Sequence, residues 1–557
     1  MNKTGIFLCV CPSITSAIDI EKTAKSIEFA NTVVYSHRYL CSQRGLRFLD
    51  DCVEKEKLGR ILIVACSGDI HRYVFERASS SKGPSIEYID TGKVKDEKGL
   101  IDSIKEKLKG DRGQIIKEEV MTRDVLVIGG GVSGVQAALD IAEEGYKVYV
   151  VEKTLSVGGV MAQLDKTFPT MDCSICILGP KLVDAGKHPN IELITNADIK
   201  KITGKAGDFN VEVEIKPRYV DMEKCNGCSA CVEVCPVILP NEWDLNLKPR
   251  KCIYVMFAQS VPLRYTIDKE KCIECGLCQK VCELDAIDLT EEPKIRTLNV
   301  GAIVLSTGTK TFDASRKKQY GYGRLKNVVT NIEFERIICA SGPTSGELIR
   351  PDGKHIKKVA FIQCVGSRDI HFHEYCSSYC CMASIKEARL VMEHAQDAEI
   401  WIFYNDLRAF GKGFEELYVR SEKEGIKFIR GLPGEIRENA ETEDPIVTFE
   451  DTKTGKVSEI EFDMVVLAVA LEPSKQNARL AEMLDLETDA HGFFKDLDST
   501  SMPLETSNRG VFLAGTCQGP KDIPETVAQA SGAAAKVCTL FSEINQTAKR
   551  LRRNYEH

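Results

Sequence analysis

Residues 124–153, DVLVIGGGVSGVQAALDIAEEGYKVYVVEK, decide the fold of this chain. An apolar strand leads into a turn with Gly129, Gly131 and Gly134, a helix follows, and a second strand ends at Glu152. Such glycines let the backbone approach a pyrophosphate at the helix N-terminus, and the acidic side chain accepts a hydrogen bond from a ribose hydroxyl. The stretch therefore predicts a Rossmann-type α/β fold that binds a dinucleotide.

Segments further along the chain favour FAD as that dinucleotide. AIVLSTG and GVFLAGTCQGP resemble the later FAD motifs of flavoproteins with two dinucleotide domains, such as thioredoxin reductase. A glycine turn that binds nothing would not account for the second glycine pair, Gly158 and Gly159. The further candidate FAD residues are Lys153, Gly159, Thr307, Gly308 and Gly515. Thr516 departs from the pattern, because an aspartate near the ribityl chain is usual at that position.

A second dinucleotide turn is missing from the sequence. In flavoproteins of this kind a later GxGxxG binds NAD(P)H, whereas the corresponding strand here, VAFIQCVGSRD, has the single glycine Gly366. We therefore expect that the chain does not use a pyridine nucleotide itself.

Two cysteine runs predict a ferredoxin module. Each run has the spacing C-x2-C-x2-C-x3-C, and the second begins 47 residues after the first. The runs are Cys225, Cys228, Cys231 and Cys235, then Cys272, Cys275, Cys278 and Cys282. In two-cluster ferredoxins the fourth cysteine of each run ligates the other cluster, so we predict two [4Fe-4S] clusters with Cys235 and Cys282 exchanged. Zinc is the alternative, although zinc sites rarely use this triple spacing twice.

The bulk composition narrows the class of protein. The 557 residues carry a net charge of -8 without massed basic residues, which disfavours nucleic acid as a partner. No apolar stretch reaches the length of a membrane span, and the N-terminus does not resemble a signal peptide, so we expect a cytoplasmic protein. Twenty-three cysteines in such a protein point to metal or redox chemistry.

The chain divides into an α/β frame with an insertion. We predict a thioredoxin-reductase-like FAD-binding Rossmann fold, an inserted two-cluster ferredoxin domain and a small N-terminal α/β domain. The predicted segments are 1–118 (N-terminal domain), 119–215 (first FAD part), 216–292 (ferredoxin insert), 293–545 (second FAD part) and 546–557 (polar tail).

A further thiol group lies in YCSSYCCMASIKEARL, residues 375–390. Cys376 and Cys380 are one helical turn apart and are expected to share a helix face, Cys381 is adjacent, and Cys364 ends the preceding apolar run. At a helix N-terminus these four thiols would form a cage for a negatively charged cluster. Free cysteines are also commonly buried as small apolar side chains, so the spacing leaves both interpretations open.

The chain resembles the A subunit of heterodisulfide reductase over essentially its whole length. The similarity is carried by GGGVSGVQAALDIAEEGYKVYVVEK, FPTMDCSICIL, KCNGCSACVEVCPV, FIQCVGSRD with YCSSYCC, and NDLRAFGKGFEE. The resemblance implies an iron–sulfur flavoprotein oxidoreductase subunit that passes electrons between a donor, a heterodisulfide-reducing partner and ferredoxin, and it allows flavin-based electron bifurcation. It implies B- and C-type partner subunits, a donor subunit linked to hydrogenase or formate dehydrogenase, and a homodimer within the complex.

The resemblance also implies roles for particular residues. Cys364, Cys376, Cys380 and Cys381 would ligate a third cluster beside the flavin, and Lys386 would lie near flavin N5. For Lys386 the alternative is a solvated lysine on a surface helix. Larger members of the family carry a C-terminal ferredoxin-like domain, whereas only Cys517 and Cys538 follow Cys381 here, so we expect ferredoxin reduction to need another subunit.

Two functional alternatives remain at this point. An NAD(P)H-dependent enzyme of the glutamate synthase small-subunit type also joins a ferredoxin module to a flavoprotein, and a non-catalytic scaffold could use its clusters only for stability.

Other cysteines and histidines have open roles. Cys173 and Cys176 form a C-x2-C pair suited to a redox dithiol or a metal. Cys9, Cys41 and Cys66 lie at strand-like runs and are expected to be buried structural thiols, and His371 and His373 are expected to be polar loop residues.

Overall fold

The computed structural model describes residues 3–9, 32–37, 40–65, 75, 85–91, 94, 96–109 and 122–555. The chain forms two compact units. One comprises Met1–Val120, Leu497–Ser501 and Ser542–His557, and the other comprises Met121–Asp496 and Met502–Phe541. The predicted segment boundaries remain a prediction.

The first unit contains a parallel four-stranded sheet of order β2-β1-β3-β4. Its described elements are β1 (Lys3–Cys9), β2 (Thr32–His37), α1 (Gln43–Glu56), β3 (Leu58–Ala65), β4 (Ser85–Asp90) and α2 (Glu97–Lys109). Ile6, Leu8, Ile61 and Ile63 are fully buried in its core, as expected for central strands of a parallel sheet. The apolar runs GIFLCVC, ILIVAC and SIEYID predict strands, and a strand is present at each of them. The helical pattern over 18–30 and the charged linker before residue 122 lie outside the described residues.

The second unit begins with the parallel sheet that the opening sequence predicts. The strand order is β26-β15-β5-β6-β7. The elements of this part are β5 (Val125–Ile128), α3 (Val132–Glu143), β6 (Val148–Val151), α4 (Ser174–Lys187), β7 (Ile191–Ile194), β15 (Ala302–Leu305) and β26 (Val511–Leu513). All four residues of β5 are buried, because both faces of the sheet are covered.

An antiparallel three-stranded sheet leads to the cysteine-rich segment. Its order is β14-β9-β8, with β8 (Ala197–Lys205), β9 (Asp208–Ile215) and β14 (Lys294–Val300). Ile215 pairs with Lys294, so the chain between them leaves and rejoins one antiparallel strand pair. That segment contains α5 (Ala230–Val234), β10 (Ile238–Pro240), β11 (Pro249–Lys251), β12 (Ile253–Tyr254), β13 (Thr266–Ile267) and α6 (Leu277–Val281).

A second parallel sheet follows, of order β17-β24-β18-β19-β20, with an antiparallel sheet β21-β22-β23 after it. The elements are β16 (Thr309–Thr311), β17 (Val328–Thr330), α7 (Asn331–Ile338), β18 (Lys358–Val365), α8 (Cys380–His394), β19 (Glu399–Tyr404), α9 (Phe414–Lys423), β20 (Lys427–Arg430), β21 (Glu435–Glu438), β22 (Pro445–Asp451), β23 (Lys456–Glu461), β24 (Met464–Val469), β25 (Leu471–Pro473) and α10 (Gln476–Leu484). Side chains point alternately to the two faces of the sheet along β18, so this strand contributes to two hydrophobic cores. Val359 and Phe361 pack in one core, and Ala360 and Ile362 pack in the other.

The last helix is α11 (Ile523–Tyr555). The polar tail predicted over 546–557 is therefore helical as far as Tyr555, because the run is rich in good helix formers and continues the helix without a breaker. Within the described residues no helix is long and apolar enough to span a membrane.

Candidate functional site

The glycine turn after β5 lies where the predicted dinucleotide site requires it. Gly129 has a φ of +108°, and a Cβ there would come within 2.3 Å of the Ser306 carbonyl oxygen on the neighbouring strand connection. A Cβ on Gly134 would lie 1.9 Å from the Gly129 carbonyl oxygen. Gly131 is the N-cap of helix α3, and a Cβ there would have its nearest neighbour, on Gly159, at 4.0 Å. The turn is thus tightly packed at Gly129 and Gly134, whereas the space beside Gly131 can admit a pyrophosphate.

Glu152 follows the second strand of the fingerprint and is buried. Its carboxylate accepts hydrogen bonds from the Gly130 N–H at 2.6 Å and from the backbone N–H and hydroxyl of Thr154 at 2.8 Å each. These bonds fix the carboxylate beside the glycine turn, and its contact with a ribose stays a prediction. Lys153 is exposed.

The later FAD segments reach the same edge of the sheet. Leu305 of β15 pairs in register with Ile128 and with Leu513, so the turns that follow all three parallel strands meet at their carboxyl ends. Ligands bind at this edge in open α/β sheets. The segments after β15 and β26 carry Thr307, Gly308, Gly515 and Thr516.

Among these residues, the Thr307 hydroxyl donates a hydrogen bond to Asn477 Oδ1 at 2.7 Å. A Cβ on Gly308 would meet nothing within 4 Å, so this turn is open. Gly515 has a φ of +78° and approaches the Ser133 side chain of α3, which explains the need for glycine. The open sides of Gly131 and Gly308, on two converging turns, leave room for the phosphates of FAD. Thr516 lies 3.5 Å from Thr309, hydroxyl to hydroxyl.

The turn after β18 differs from these open turns. Gly366 has a φ of +89°, and a Cβ there would lie 2.5 Å from the Phe312 ring. An aromatic ring therefore packs against the place where a second dinucleotide turn would present its backbone. That the chain does not use NAD(P)H itself stays a prediction.

The two cysteine runs fold as a pair of short helical turns. Helices α5 and α6 pack against each other, and the residues before them, Ser229 and Gly276, both adopt left-handed backbone conformations. One cavity is lined by Cys272, Cys275 and Cys278 of the second run together with Cys235 of the first. This grouping agrees with the predicted exchange of the fourth cysteines and fits a [4Fe-4S] cluster.

The first run also brings its thiols together. Burial raises the pKa of the Cys231 thiol to about 12, and the nearby Cys225 and Cys228 add to the effect. Cys282 packs in the same small core, where its Sγ accepts the Ala286 N–H at 3.3 Å. The ligand assignment of this run stays a prediction.

Cys252 was not singled out by its sequence spacing. It is 1% exposed, lines the same cavity as Cys235 and Cys272, and its thiol donates to the Asp268 carbonyl oxygen at 3.2 Å. The pKa of its thiol is raised to about 12, mainly because the thiol is buried. The nearby Cys272 and Cys235 also raise it, to a smaller extent. Cys252 lies outside both cysteine runs, so no local sequence pattern identifies it as part of the site.

Zinc stays the alternative metal for these thiols on geometry alone. Among the residues that the structure describes, no group of three His, Cys, Asp or Glu side chains converges closely enough to hold a single metal ion. Thiolates around one zinc ion stand roughly 3.8 Å apart, as follows from a Zn–S bond of about 2.3 Å. A four-iron cluster needs more widely separated ligands.

The third thiol group is brought together by β18 and α8. Cys364 lies near the end of β18, and the electrostatic surroundings of Cys380 include Cys364, Cys381 and Cys376. Three of these thiols are 5–7% exposed, and Cys376 is half-buried. These four thiols of the predicted cage lie near one another, and their role as ligands stays a prediction.

The helix-face prediction for this group was wrong. Helix α8 begins at Cys380, so Cys376 precedes it and shares no helix face with it. Ser378 has a φ of +60°, a left-handed conformation that separates the loop from the helix. The thiols meet because the loop folds back, with the Ser378 N–H donating to Cys376 Sγ at 3.4 Å.

A positive charge lies beside the cage. Arg368 interacts with Cys364, and its guanidinium donates to Asp406 at 2.7 Å. Burial raises the pKa of Cys364, which Arg368 opposes. Together with the N-terminal N–H groups of α8, this guanidinium suits a negatively charged thiolate-ligated cluster.

Lys386 is buried on α8, 2% exposed, and forms an ion pair with Glu335 of α7. The alternative of a solvated surface lysine is therefore excluded. Glu335 also accepts the Asp165 backbone N–H at 3.0 Å, which ties the pair to the segment after the second glycine pair. The Glu335 partner was missed, since a glutamate within NIEFERII has the pattern of an exposed helix face.

Burial controls the charges around this pair. It lowers the pKa of the Lys386 ammonium to about 8, against the opposing effects of Glu387 and Asp165. It also raises the pKa of Glu387 to about 8. Within the described part of the chain, neither carboxyl oxygen of Glu387 has a hydrogen-bond partner. Proton transfer near neutral pH is therefore possible at Lys386 Nζ.

The remaining candidate residues have structural surroundings of their own. His373 shares a hydrogen bond with Glu472, Nε2 to Oε1, at 2.8 Å and stacks on Tyr375, and the His371 N–H donates to Asp369 at 2.9 Å. Cys9 is buried, Cys41 is half-buried, and Cys66 lies outside the described residues.

Comparison with protein families agrees with these sites. Residues 124–171 match the FAD dependent oxidoreductase family, residues 218–237 and 265–288 match the 4Fe-4S binding domain, and residues 404–534 match the pyridine nucleotide-disulphide oxidoreductase family. Each cysteine run thus lies within a 4Fe-4S match.

Comparison with whole proteins decides the family. The A 2 iron–sulfur subunit of CoB–CoM heterodisulfide reductase from Methanopyrus kandleri is 46% identical, over 97% of this chain and 86% of the relative. The chain belongs to the family of heterodisulfide reductase A subunits. The corresponding iron–sulfur subunit of Methanocaldococcus jannaschii is 44% identical over 96% of this chain and 85% of its own length. A Methanococcus maripaludis relative, the A subunit of H2/formate:CoB–CoM heterodisulfide,ferredoxin reductase, is 44% identical over 97% and 86%.

Membership establishes the class of the chain. It is an iron–sulfur flavoprotein oxidoreductase subunit that binds FAD and [4Fe-4S] clusters and transfers electrons. Its fold is a thioredoxin-reductase-like FAD-binding fold with a ferredoxin-type domain. Among solved structures, Lactococcus lactis thioredoxin reductase aligns over 76% of this chain and 100% of its own, with a TM-score of 0.43 and 17% identity.

Proposed function

We propose that this protein distributes electrons from a donor subunit to a heterodisulfide-reducing partner and to ferredoxin by flavin-based electron bifurcation. The observation that carries the proposal is the placement of two of the cage thiols, Cys380 and Cys381, and of Lys386 on one helix. Cys381 and Lys386 are five residues apart on α8, which corresponds to about 7.5 Å along the helix axis. One rigid element can therefore hold a cluster and a charge at the flavin.

FAD, when bound, supplies the conversion between electron pairs and single electrons. The residues of this chain would bind and bias that group. The glycine turns would hold its phosphates, Lys386 would present a positive charge or a proton at Nζ, and Glu335 would keep that ammonium in place. Burial of the pair excludes water, which strengthens the effect of its charge.

Single electrons would leave through thiolate-ligated clusters. We propose Cys364, Cys376, Cys380 and Cys381 as ligands beside the flavin, and the eight cysteines of the insert as ligands of two further clusters. The buried Arg336 supports a fixed geometry, since its guanidinium bonds Asp244 of the cysteine-rich segment at 3.0 Å and the Gln163 carbonyl oxygen at 3.0 Å.

The names of the relatives support the proposed partners, since they include H2, formate, ferredoxin and the CoB–CoM heterodisulfide. We propose B- and C-type subunits of heterodisulfide reductase, a donor linked to hydrogenase or formate dehydrogenase, ferredoxin, and a homodimer of this chain within the complex.

The experiment measures ferredoxin reduction in the complex purified anaerobically from native cells. With H2 or formate as donor, ferredoxin should be reduced only when CoB–CoM heterodisulfide is also present, with one electron pair delivered to each acceptor. Ferredoxin reduction that is independent of the heterodisulfide would refute bifurcation, and complete lack of it would refute the ferredoxin branch.

The role of Lys386 is tested by a redox titration of the flavin. Lys386→Ala should retain all iron and FAD but shift the flavin midpoint to a lower potential, because a nearby cation favours the electron-rich reduced form. Arg389→Ala is the control, since Arg389 is three residues further along α8 and pairs with Glu424. An unchanged titration in Lys386→Ala would remove this residue from the proposal.

A further inference from the structure

A disulfide lies at the start of helix α4. Cys173 and Cys176 are bonded, and Cys173 is the N-cap of the helix, which begins at Ser174. No third metal-ligand side chain joins them among the described residues, so a redox pair is favoured over the metal pair that the spacing also allowed.

The position of the bond is unsuited to a mainly stabilising role. The cysteines are separated by three positions, so the bond closes a very short loop and restricts the unfolded chain little. Cys176 is exposed at the surface, whereas Cys173 is half-buried, and Ser174 between them is fully buried. An incoming thiol can therefore reach Cys176 Sγ more readily than Cys173 Sγ.

The surroundings of Cys173 favour it as the sulfur that is released. Its Sγ accepts the Cys176 backbone N–H at 3.3 Å, at the positive end of a 14-residue helix. Both effects stabilise a thiolate at Cys173, and a better stabilised thiolate leaves faster in thiol–disulfide exchange.

We propose that Cys173–Cys176 is a redox-active disulfide that exchanges with external thiols at Cys176. A thiolate attacks Cys176 Sγ, a mixed disulfide forms, the Sγ–Sγ bond breaks, and Cys173 leaves as a thiolate that then takes a proton. A second thiol resolves the mixed disulfide. In total, two thiols are oxidised to a disulfide, and the protein disulfide gains two electrons and two protons to become a dithiol.

The test uses anaerobic holoprotein, native and without denaturant, equilibrated with dithiothreitol buffers of increasing reduced fraction. Free thiols are trapped with N-ethylmaleimide, and tryptic peptide 167–181, which contains only these two cysteines, is weighed. The expected result is a change from no label to two labels in a single transition. Two labels before reduction, or labels only after denaturation, would overturn the proposal.

Single variants test which sulfur is attacked. Cys173→Ser retains a good N-cap residue and should form a mixed disulfide with oxidised glutathione at Cys176. In Cys176→Ser, the thiol of Cys173 should react with iodoacetamide at pH 7 several-fold faster than the half-buried Cys538, measured in the same digest. Equal rates would refute thiolate stabilisation at the helix start, and failure of Cys173→Ser to form the mixed disulfide would refute exchange at Cys176. Cys538→Ser serves as the control and should show the wild-type dithiothreitol transition.

Discussion

Removal of Lys386 should destabilise the flavin-binding unit strongly, because its partner would remain as a buried unpaired charge. Glu335 is 1% exposed, and its carboxylate would keep only the Asp165 N–H. Breaking a buried pair from one side costs about 3–5 kcal/mol. With a urea dependence of about 3 kcal/mol per M, Lys386→Met should lower the midpoint of unfolding by about 1–1.7 M.

The assay is an anaerobic urea titration followed by the fluorescence of released FAD. Lys386→Met combined with Glu335→Gln should recover at least half of the loss, since the buried charge is then removed. Lys166→Met is the matched control: Lys166 pairs with Glu393 at 2.6 Å, but that glutamate is 47% exposed. A surface pair contributes about 0–1 kcal/mol, so the control should shift the midpoint by less than about 0.3 M. Equal shifts in Lys386→Met and Lys166→Met, or no recovery in the double variant, would refute the buried ion pair.

Three further predictions concern the clusters, the flavin and pH. Cys380→Ser should lower the iron content from about twelve to about eight per chain and leave FAD bound, as measured by iron and flavin analysis; unchanged iron would show that the cage holds no cluster. Gly134→Ala should lose FAD on gel filtration because its Cβ would meet the Gly129 carbonyl oxygen at 1.9 Å, whereas Gly179→Ala, with nothing within 4 Å, should retain it. Lys386 releases its proton at a pKa of about 8 in the folded chain, against 10.5 as the ordinary value. Between these values the unfolded chain binds more protons, so the free energy of unfolding from urea titrations should rise with pH by up to about 3 kcal/mol more in the wild type than in Lys386→Met.

Short-range patterns were the predictable part of the fold and site. The turn at Gly129 and the ferredoxin cysteine runs have their chemistry encoded in local spacing. The structure places the turn at a sheet edge and groups three cysteines of the second run with Cys235 around one cavity. The cage was harder, because Ser378 turns the backbone left-handed and delays the helix until Cys380.

Partners that are distant in sequence could not be predicted. Glu335 lies 51 residues from Lys386, and the helix that carries it buries both Glu335 and Arg336, against the usual rule that charges mark the solvent face. Cys252 belongs to neither cysteine run and reaches the cavity only through the fold. In each case tertiary packing decided the surroundings of the side chain.

The pairing of Ile215 with Lys294 makes the cysteine-rich segment a removable cassette. Its two ends lie side by side on adjacent antiparallel strands, so a tight turn could replace everything between them without moving either strand. Such an excision would leave Arg336 buried without Asp244, and an apolar residue of similar size would have to replace it. Evolutionary gain or loss of this electron-carrying module would thus require one splice and the replacement of each contact that the frame makes with the segment, such as the backbone hydrogen bond from Val157 to Val261.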